Sequence, residues 1–105
     1  MNAENTFGLS KTTIAKINQI FTQHPNVLKV LIYGSRARGG YRDGSDIDLT
    51  MIGDISDDER SQIYWQIDGL NLAYLVDLSV FGKLTNPPLI QNIKKDSHIF
   101  YQKAI

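Results

Sequence analysis

The residues of this sequence that are best suited to chemistry lie between Gly34 and Asp48. A Gly34-Ser35 pair ends a predicted strand, and Asp46-Ile47-Asp48 follows after ten intervening residues. Because alternate residues of a strand share a face, Asp46 and Asp48 are predicted to project together, while Ile47 faces the core. Like charges side by side on a strand repel, and a divalent cation would neutralise them. Two solvated aspartates on an exposed strand are the alternative interpretation.

A third carboxylate interrupts a later apolar run. Asp77 lies within Leu75-Val76-Asp77-Leu78-Ser79-Val80, and a charge in a hydrophobic strand is costly unless it is paired or bound to a cation. If this strand lies beside that of Asp46 and Asp48, three carboxylates converge near the glycine turn. Such a group is suited to holding two magnesium ions against a triphosphate.

The segment between the turn and the first aspartate is rich in glycine, serine and arginine. Ser35 is predicted to cap a helix that begins at Arg36, and backbone amides at such a start bind anions, phosphate especially. Arg36, Arg38 and Arg42 add planar donors that suit phosphate oxygens. A Gly-Ser turn that does no more than cap a short helix is the alternative interpretation.

Other catalytic signatures are absent from the sequence. Gly39 is followed by Gly40 and Tyr41, so the Walker A pattern Gly-Lys-Ser/Thr fails, and neither GxGxxG nor an EF-hand loop is present. His24 and His98 are far apart, with no serine or carboxylate signature beside them. We therefore predict that both histidines are packing or surface residues.

Composition limits the class of protein. The chain has 105 residues, 11 Lys+Arg, 11 Asp+Glu, a formal net charge of +0 and no cysteine. This length fits one domain, 1–105, with 1–8 expected to be flexible. The absence of cysteine excludes disulfides and zinc ribbons, and the balanced charge argues against direct DNA binding. No apolar run reaches membrane-spanning length and no signal-peptide profile is present, so we expect a cytoplasmic protein.

The elements that must position these residues follow from hydrophobic spacing and from the turn residues. Ser56-Asp57-Asp58-Glu59 is a capping-box pattern, so its acids are assigned to a helix start and not to a metal site. The order α-β-(glycine loop)-β-α-β-α predicts an α/β (α+β) fold with a single small mixed β-sheet packed by helices. The predicted elements are a helix from Ser10 to Pro25, strands over Val27–Tyr33, Asp46–Ile52 and Leu72–Phe81, helices after Ser56 and Pro87, and a short tail from Ser97.

These residues resemble the pattern of a known family. Gly34-Ser35, ten residues and Asp46-Ile47-Asp48 resemble the signature of the DNA polymerase β-like nucleotidyltransferase superfamily. The fuller strings GSRARG, from Gly34, and SDIDL, from Ser45, are similar to those of the minimal nucleotidyltransferases, the MNT group. Asp77 lies where that family places its third carboxylate. The resemblance covers roughly 27–79 by motif and implies the nucleotidyltransferase fold.

The resemblance also implies roles for these residues. Asp46 and Asp48 would coordinate two Mg²⁺ ions, and Asp77 would coordinate the catalytic one and help to deprotonate the acceptor hydroxyl. The reaction would be in-line attack on the α-phosphorus of ATP with release of pyrophosphate. The phosphates would be held by Gly34, Ser35, Arg36 and Arg38.

The resemblance bears on the partner as well. Minimal members lack the helical acceptor-binding domain of larger ones and are typically encoded beside a HEPN-domain RNase toxin. We therefore expect an antitoxin that attaches AMP to a tyrosine of its HEPN toxin, in a hetero-oligomer with it. One alternative is a non-catalytic antitoxin that neutralises the partner by binding and occlusion. A further alternative is transfer to a small molecule, as in the aminoglycoside nucleotidyltransferases.

Overall fold

The computed structural model describes residues 5–104, and its main feature is a four-stranded mixed sheet with helices packed against it. The predicted fold class is confirmed. The strands are β1 (Asn5–Thr6), β2 (Leu9–Ser10), β3 (Lys29–Tyr33), β4 (Ile47–Ile52), β5 (Val76–Val80) and β6 (His98–Gln102). The helices are α1 (Lys11–Thr22), α2 (Ser35–Arg38), α3 (Asp57–Asp68) and α4 (Pro87–Asp96), and a 3₁₀ turn covers Phe81–Lys83.

The order of strands in the main sheet is β5-β4-β3-β6. β3 pairs antiparallel with both β4 and β6, whereas β4 and β5 are parallel because α3 crosses from the end of one to the start of the other. The predicted strands for the aspartates are therefore direct neighbours. No helix within residues 5–104 is long and apolar enough to cross a membrane.

The helix starts follow from their capping residues. Ser10 and Ser56 each accept a hydrogen bond, 3.1 Å long, from the backbone N–H three residues later, as predicted. Asn86 caps α4 in the same way. The capping box at α3 is only half formed, because the Glu59 side chain turns away from Ser56 and contacts Asn26 instead.

The chain departs from the predicted elements at both ends. Residues 97–105 were expected to be a short tail, yet residues 98–102 form β6, and the Lys103 N–H donates to the Leu28 carbonyl at 2.9 Å. Of the segment expected to be flexible, residues 1–4 lie outside the described residues, and 5–8 form one arm and the turn of the β1–β2 hairpin. β6 depends on a distant partner, β3, which local patterns do not specify.

The strand predicted over Leu72–Phe81 is shorter than expected. It begins at Val76 and gives way to the 3₁₀ turn at Phe81. Asn71 has a φ of 55°, which ends the helical segment with a left-handed residue, and the next residues run as a connection before pairing starts.

One apolar core lies between the main sheet and helices α1 and α3. Its members share the inward face of each element, because the strands alternate and the helices present one stripe. The fully buried members include Ile17, Phe21, Val30, Ile32, Ile47, Leu49, Met51 and Ile63.

A polar cluster joins α1 to α3 beside this core. His24 is buried, its Nδ1 lies 3.0 Å from Glu59 Oε2, and its Nε2 lies 2.8 Å from Gln66 Oε1. The Asn26 amide donates to Glu59 Oε1 at 3.1 Å. His24 is therefore a packing residue, as predicted.

This cluster makes stability sensitive to acid. The Asn26 amide, followed by His24, lowers the pKa of Glu59 below its ordinary value of 4.5. A carboxyl with a depressed folded-state pKa stabilises the fold above its unfolded-state pKa, and that contribution is lost as pH falls through the folded-state value. We expect Glu59→Gln to lower the free energy of unfolding at pH 7 by about 1 kcal/mol.

Urea denaturation of both proteins at several pH values checks this expectation. The difference between wild type and Glu59→Gln should shrink as pH falls below 4.5. A difference that stays constant down to the acid limit would contradict the assignment.

Candidate active site

Strands β4 and β5 place two of the predicted carboxylates side by side. Asp48 and Asp77 are register partners across the parallel pair. Their neighbours Ile47, Leu49 and Leu78 are buried in the core, so both aspartates lie on the opposite face of the sheet. Asp77 is exposed and Asp48 is partly buried.

Asp46 lies one residue before β4 and is exposed. The next residue anchors the strand, since the Ile47 N–H donates to the Leu75 carbonyl at 2.9 Å. Asp46 is close enough to act on Asp48 electrostatically. Among residues 5–104, however, no three His, Cys, Asp or Glu side chains are gathered closely enough to form a ready-made metal cluster.

The Asp48 carboxyl is the electrostatic centre of the site. Burial raises the pKa of Asp48 above its ordinary value, and the carboxylates of Asp77 and Asp46 raise it further. Arg38 and Arg36 oppose this rise. The two guanidinium groups therefore leave the carboxylate repulsion only partly compensated.

The turn after β3 brings backbone against this carboxylate. Gly34 has φ 76° and ψ −155°, a conformation that is essentially restricted to glycine. A Cβ atom built at Gly34 would overlap the Asp48 carboxylate. The dihedral angles therefore require glycine, and a side chain at this position would displace the Asp48 carboxylate.

The helix that follows starts one residue earlier than expected. Gly34 is the N-cap of α2 and Ser35 is its first helical residue, so the prediction that Ser35 caps the helix is wrong. The first amides of any helix lack an intrahelical acceptor. The N–H groups of Ala37 and Arg38 both donate to the Gly34 carbonyl, which fixes the Ser35 position relative to the turn.

The arginines of the loop are in different environments. Arg36 is buried, and its guanidinium donates to the carbonyls of Phe7 and Ser45. Arg38 is exposed, and it lowers the pKa of Asp48 more strongly than Arg36 does. Of these two, Arg38 is the one whose guanidinium faces solvent near the carboxylates.

Three residues of the site were missed by the sequence analysis. Tyr33 is the register partner of Asp48 on β3, and burial, followed by the charge of Asp77, raises its pKa. On the same face the Ser79 hydroxyl donates to Thr50 Oγ1 at 2.9 Å. The period of two from Asp48 to Thr50, and from Asp77 to Ser79, is the signal that could have identified the last two.

The donor set fits magnesium. Mg²⁺ prefers oxygen ligands and is usually held by one or two carboxylates together with substrate phosphates. Asp48 and Asp77 supply such carboxylates. Burial raises the pKa of Asp48 most, the charges of Asp77 and Asp46 add to this rise, and a cation would relieve the repulsion among the three carboxylates.

Comparison with known proteins assigns the fold to a class. The family model described as "Polymerase beta, Nucleotidyltransferase" matches residues 15–105. The chain therefore belongs to the polymerase β-type nucleotidyltransferase family. No curated protein sequence matches it.

Solved structures with this fold include toxin–antitoxin complexes. A chain of a toxin–antitoxin complex with AMP-PNP is 18% identical with a TM-score of 0.67, and the match covers 90% of this chain and 75% of the other. A chain of the complex of tri-AMPylated Shewanella oneidensis HEPN toxin with MNT antitoxin is 15% identical with a TM-score of 0.64, and the match covers 89% of this chain and 72% of the other. A chain of a MntA–HepT complex is 15% identical with a TM-score of 0.65, and the match covers 90% of this chain and 74% of the other.

Proposed function

We propose that this protein is a Mg²⁺-dependent nucleotidyltransferase that moves AMP from ATP to a hydroxyl, a tyrosine hydroxyl by resemblance, of a cognate HEPN-type toxin. In this proposal the protein is the antitoxin of the pair. The observation that carries it is the register pairing of Asp48 with Asp77 beside Gly34, in a chain of the nucleotidyltransferase family.

The carboxylates have distinct roles in the proposed reaction. Asp46 and Asp48 would hold two Mg²⁺ ions, and Asp77 would hold the catalytic one and help to deprotonate the acceptor hydroxyl. When bound, Mg²⁺ neutralises phosphate charge and favours the ionised form of the hydroxyl. The exposure of Asp77 supports this division, because the acceptor must approach from solvent.

The glycine turn and Arg38 hold the other end of the donor. Gly34 and Ser35 bind the β- and γ-phosphates, and Arg38 contacts the phosphates or the leaving pyrophosphate. The acceptor oxygen forms a bond to the α-phosphorus while the bond from that phosphorus to pyrophosphate breaks. The protein's contribution is mainly the positioning of reactants and the neutralisation of charge.

The assignment of donor and acceptor is supported by the similar structures. One is a toxin–antitoxin complex with AMP-PNP, and another contains a tri-AMPylated HEPN toxin with MNT antitoxin. AMP-PNP is an ATP analogue, so ATP is the donor that we propose. These two structures are at most 18% identical to this chain, so the proposed acceptor rests on the shared fold and the sequence motif together.

A second candidate function is neutralisation by binding alone. Trp65 on α3 and Leu75 before β5 are large apolar side chains, 66% and 73% exposed. Aromatic residues such as Trp65 are enriched at protein–protein interfaces. In this alternative, binding of the HEPN toxin at this surface blocks the toxin, and no AMP is transferred.

Incubation with MgATP and the proposed HEPN partner distinguishes the two candidates. We expect intact-mass measurement to show one or more adenylyl groups on the HEPN protein, and none after Asp77→Asn. The matched control is Asp54→Asn, which changes an exposed aspartate in the turn after β4 and should transfer normally.

The growth phenotype gives the complementary result. Under the transfer proposal, cells that express the HEPN protein should not be rescued by the Asp46→Asn/Asp48→Asn double variant. Full rescue by that variant, at wild-type abundance and without adenylylation, would favour occlusion.

A further inference from the structure

The guanidinium of Arg36 is enclosed by four parts of the chain. Arg36 is 3% exposed. Its Nη1 donates to the Phe7 carbonyl at 2.9 Å. Its Cζ lies 5.3 Å from the centre of the Tyr41 ring and 4.7 Å from that of Tyr74. Its Nε and Nη2 both donate to the Ser45 carbonyl, at 3.1 and 2.9 Å. We call this group of contacts the arginine clamp.

On one side, the clamp fixes the residue that precedes Asp46. The Ser45 N–H donates to the Arg42 carbonyl at 3.0 Å, and the Arg42 N–H donates to Ser45 Oγ at 2.9 Å. Ser45 is therefore held by its carbonyl, amide and hydroxyl groups. Since Ile47 is bonded to the β5 side of the sheet, Asp46 lies between two anchored residues.

On the other side, the clamp fixes the turn of the β1–β2 hairpin. Phe7 has a φ of 61°, which is unusual for a residue with a side chain, and its carbonyl receives the Arg36 bond. A Cβ atom built at Gly8 would press against the Tyr41 ring and lie 3.0 Å from Arg36 Nη1. The hairpin turn and the loop before Asp46 are thus packed directly on the same guanidinium.

We propose that Arg36 is a positioning residue that sets the location of the Asp46 carboxylate by holding the Ser45 carbonyl. This inference rests on the proposed function for its catalytic consequence, and it replaces the phosphate-binding role that the resemblance implies for Arg36. All three guanidinium nitrogens donate to backbone carbonyls, and both ring contacts are made by the same group. A bidentate, stacked arginine cannot be replaced by lysine without loss of these contacts.

Amide hydrogen exchange of the free protein tests the clamp without any nucleotide. We expect Arg36→Lys to speed exchange at Ser45 and Ile47 about tenfold while the amides of α1 stay within twofold of wild type. If Arg36→Lys does not fold, Tyr74→Leu provides the same test, with Tyr74→Phe as the matched control that keeps the ring. Unchanged exchange in both Arg36→Lys and Tyr74→Leu would overturn the proposal.

Steady-state kinetics separate positioning from phosphate binding. Arg36→Lys should lower kcat about tenfold and raise the half-saturating Mg²⁺ concentration, with the KM for ATP at saturating Mg²⁺ within twofold of wild type. Arg38→Lys should instead raise the KM for ATP. If Arg36→Lys raises the KM for ATP with kcat and the Mg²⁺ requirement unchanged, Arg36 is a phosphate ligand and the proposal is overturned.

The two sets of measurements distinguish the inference from the function on which it rests. A wild-type protein that transfers nothing would contradict the proposed function, and hydrogen exchange would still decide whether Arg36 holds the loop. Active wild-type protein with an Arg36→Lys variant of unchanged exchange and unchanged kinetics would contradict the inference alone.

Discussion

Replacement of Asp48 by asparagine is expected to abolish transfer and to stabilise the free protein. The substituted amide would keep the size of the side chain but lose the charge that holds the metal and, with it, the triphosphate. Loss of such charge stabilisation is worth several kcal/mol in the transition state. We expect kcat to fall by about three orders of magnitude, which corresponds to roughly 4 kcal/mol.

The stabilisation follows from the electrostatics of the free site. The pKa of Asp48 is raised in the fold by burial and then by Asp77 and Asp46. A raised carboxyl pKa means that ionisation opposes folding at neutral pH, and this cost is relieved as pH falls through the folded-state value. Like charges on opposing strand positions cost about 0.2–1 kcal/mol. For a domain of this size, Asp48→Asn should therefore raise Tm by about 1–6 °C.

Thermal unfolding with and without Mg²⁺ and an ATP analogue checks both parts. The advantage of Asp48→Asn should be largest near neutral pH, decline in acid and be reversed by saturating ligand, which stabilises only wild type. Asp54→Asn again serves as the control and should behave like wild type. A less stable Asp48→Asn, or one that retains transfer, would contradict this account of the site.

Replacement of Gly34 by alanine is expected to damage both the fold and the site. Its dihedral angles, φ 76° and ψ −155°, are strained for any other residue. The added methyl group would also displace the Asp48 carboxylate. We expect a loss of about 2–4 kcal/mol of unfolding free energy from strain and overpacking together, with transfer below detection.

Two further variants separate these costs. Gly40→Ala is the matched control, because nothing lies within 4 Å of a Cβ built there and its φ is not positive. Addition of Asp48→Ala to Gly34→Ala should recover part of the stability, since it removes the clash and leaves the backbone strain. Urea denaturation measures the free energy of unfolding of Gly34→Ala, of Gly40→Ala and of the Gly34→Ala/Asp48→Ala double variant. An unperturbed Gly34→Ala would show that the turn is more adaptable than its geometry indicates.

Most of the fold could be predicted because the local signals were strong. Ser10 and Ser56 are capping residues followed by helical periodicity, and the alternation around Asp48 predicted which residues face the core. The pairing of Asp48 with Asp77 was expected only if their strands were neighbours. The sequence does support this adjacency, because a helix lies between the two strands, and a helical connection favours parallel pairing of the strands that it joins.

The features that escaped prediction depend on distant contacts. Nothing local in His98–Gln102 distinguishes a strand from a tail until β3 is available to pair with it. The environment of Arg36 was unpredictable for the same reason, because its acceptors come from the hairpin turn and from the far end of its own loop. Spacing indicated which residues approach the site, but not which of two similar arginines is enclosed.

The adjacency of β3 and β6 has a consequence for how the chain folds. These two strands are neighbours in the sheet although they are the first and last of its strands along the sequence. Closing so long a segment of chain is entropically costly and slow. Until β6 emerges from the ribosome, β3 has an unpaired edge that invites association with other chains. Tyr33, the register partner of Asp48, therefore lies on a strand whose other neighbour is the last strand in the sequence.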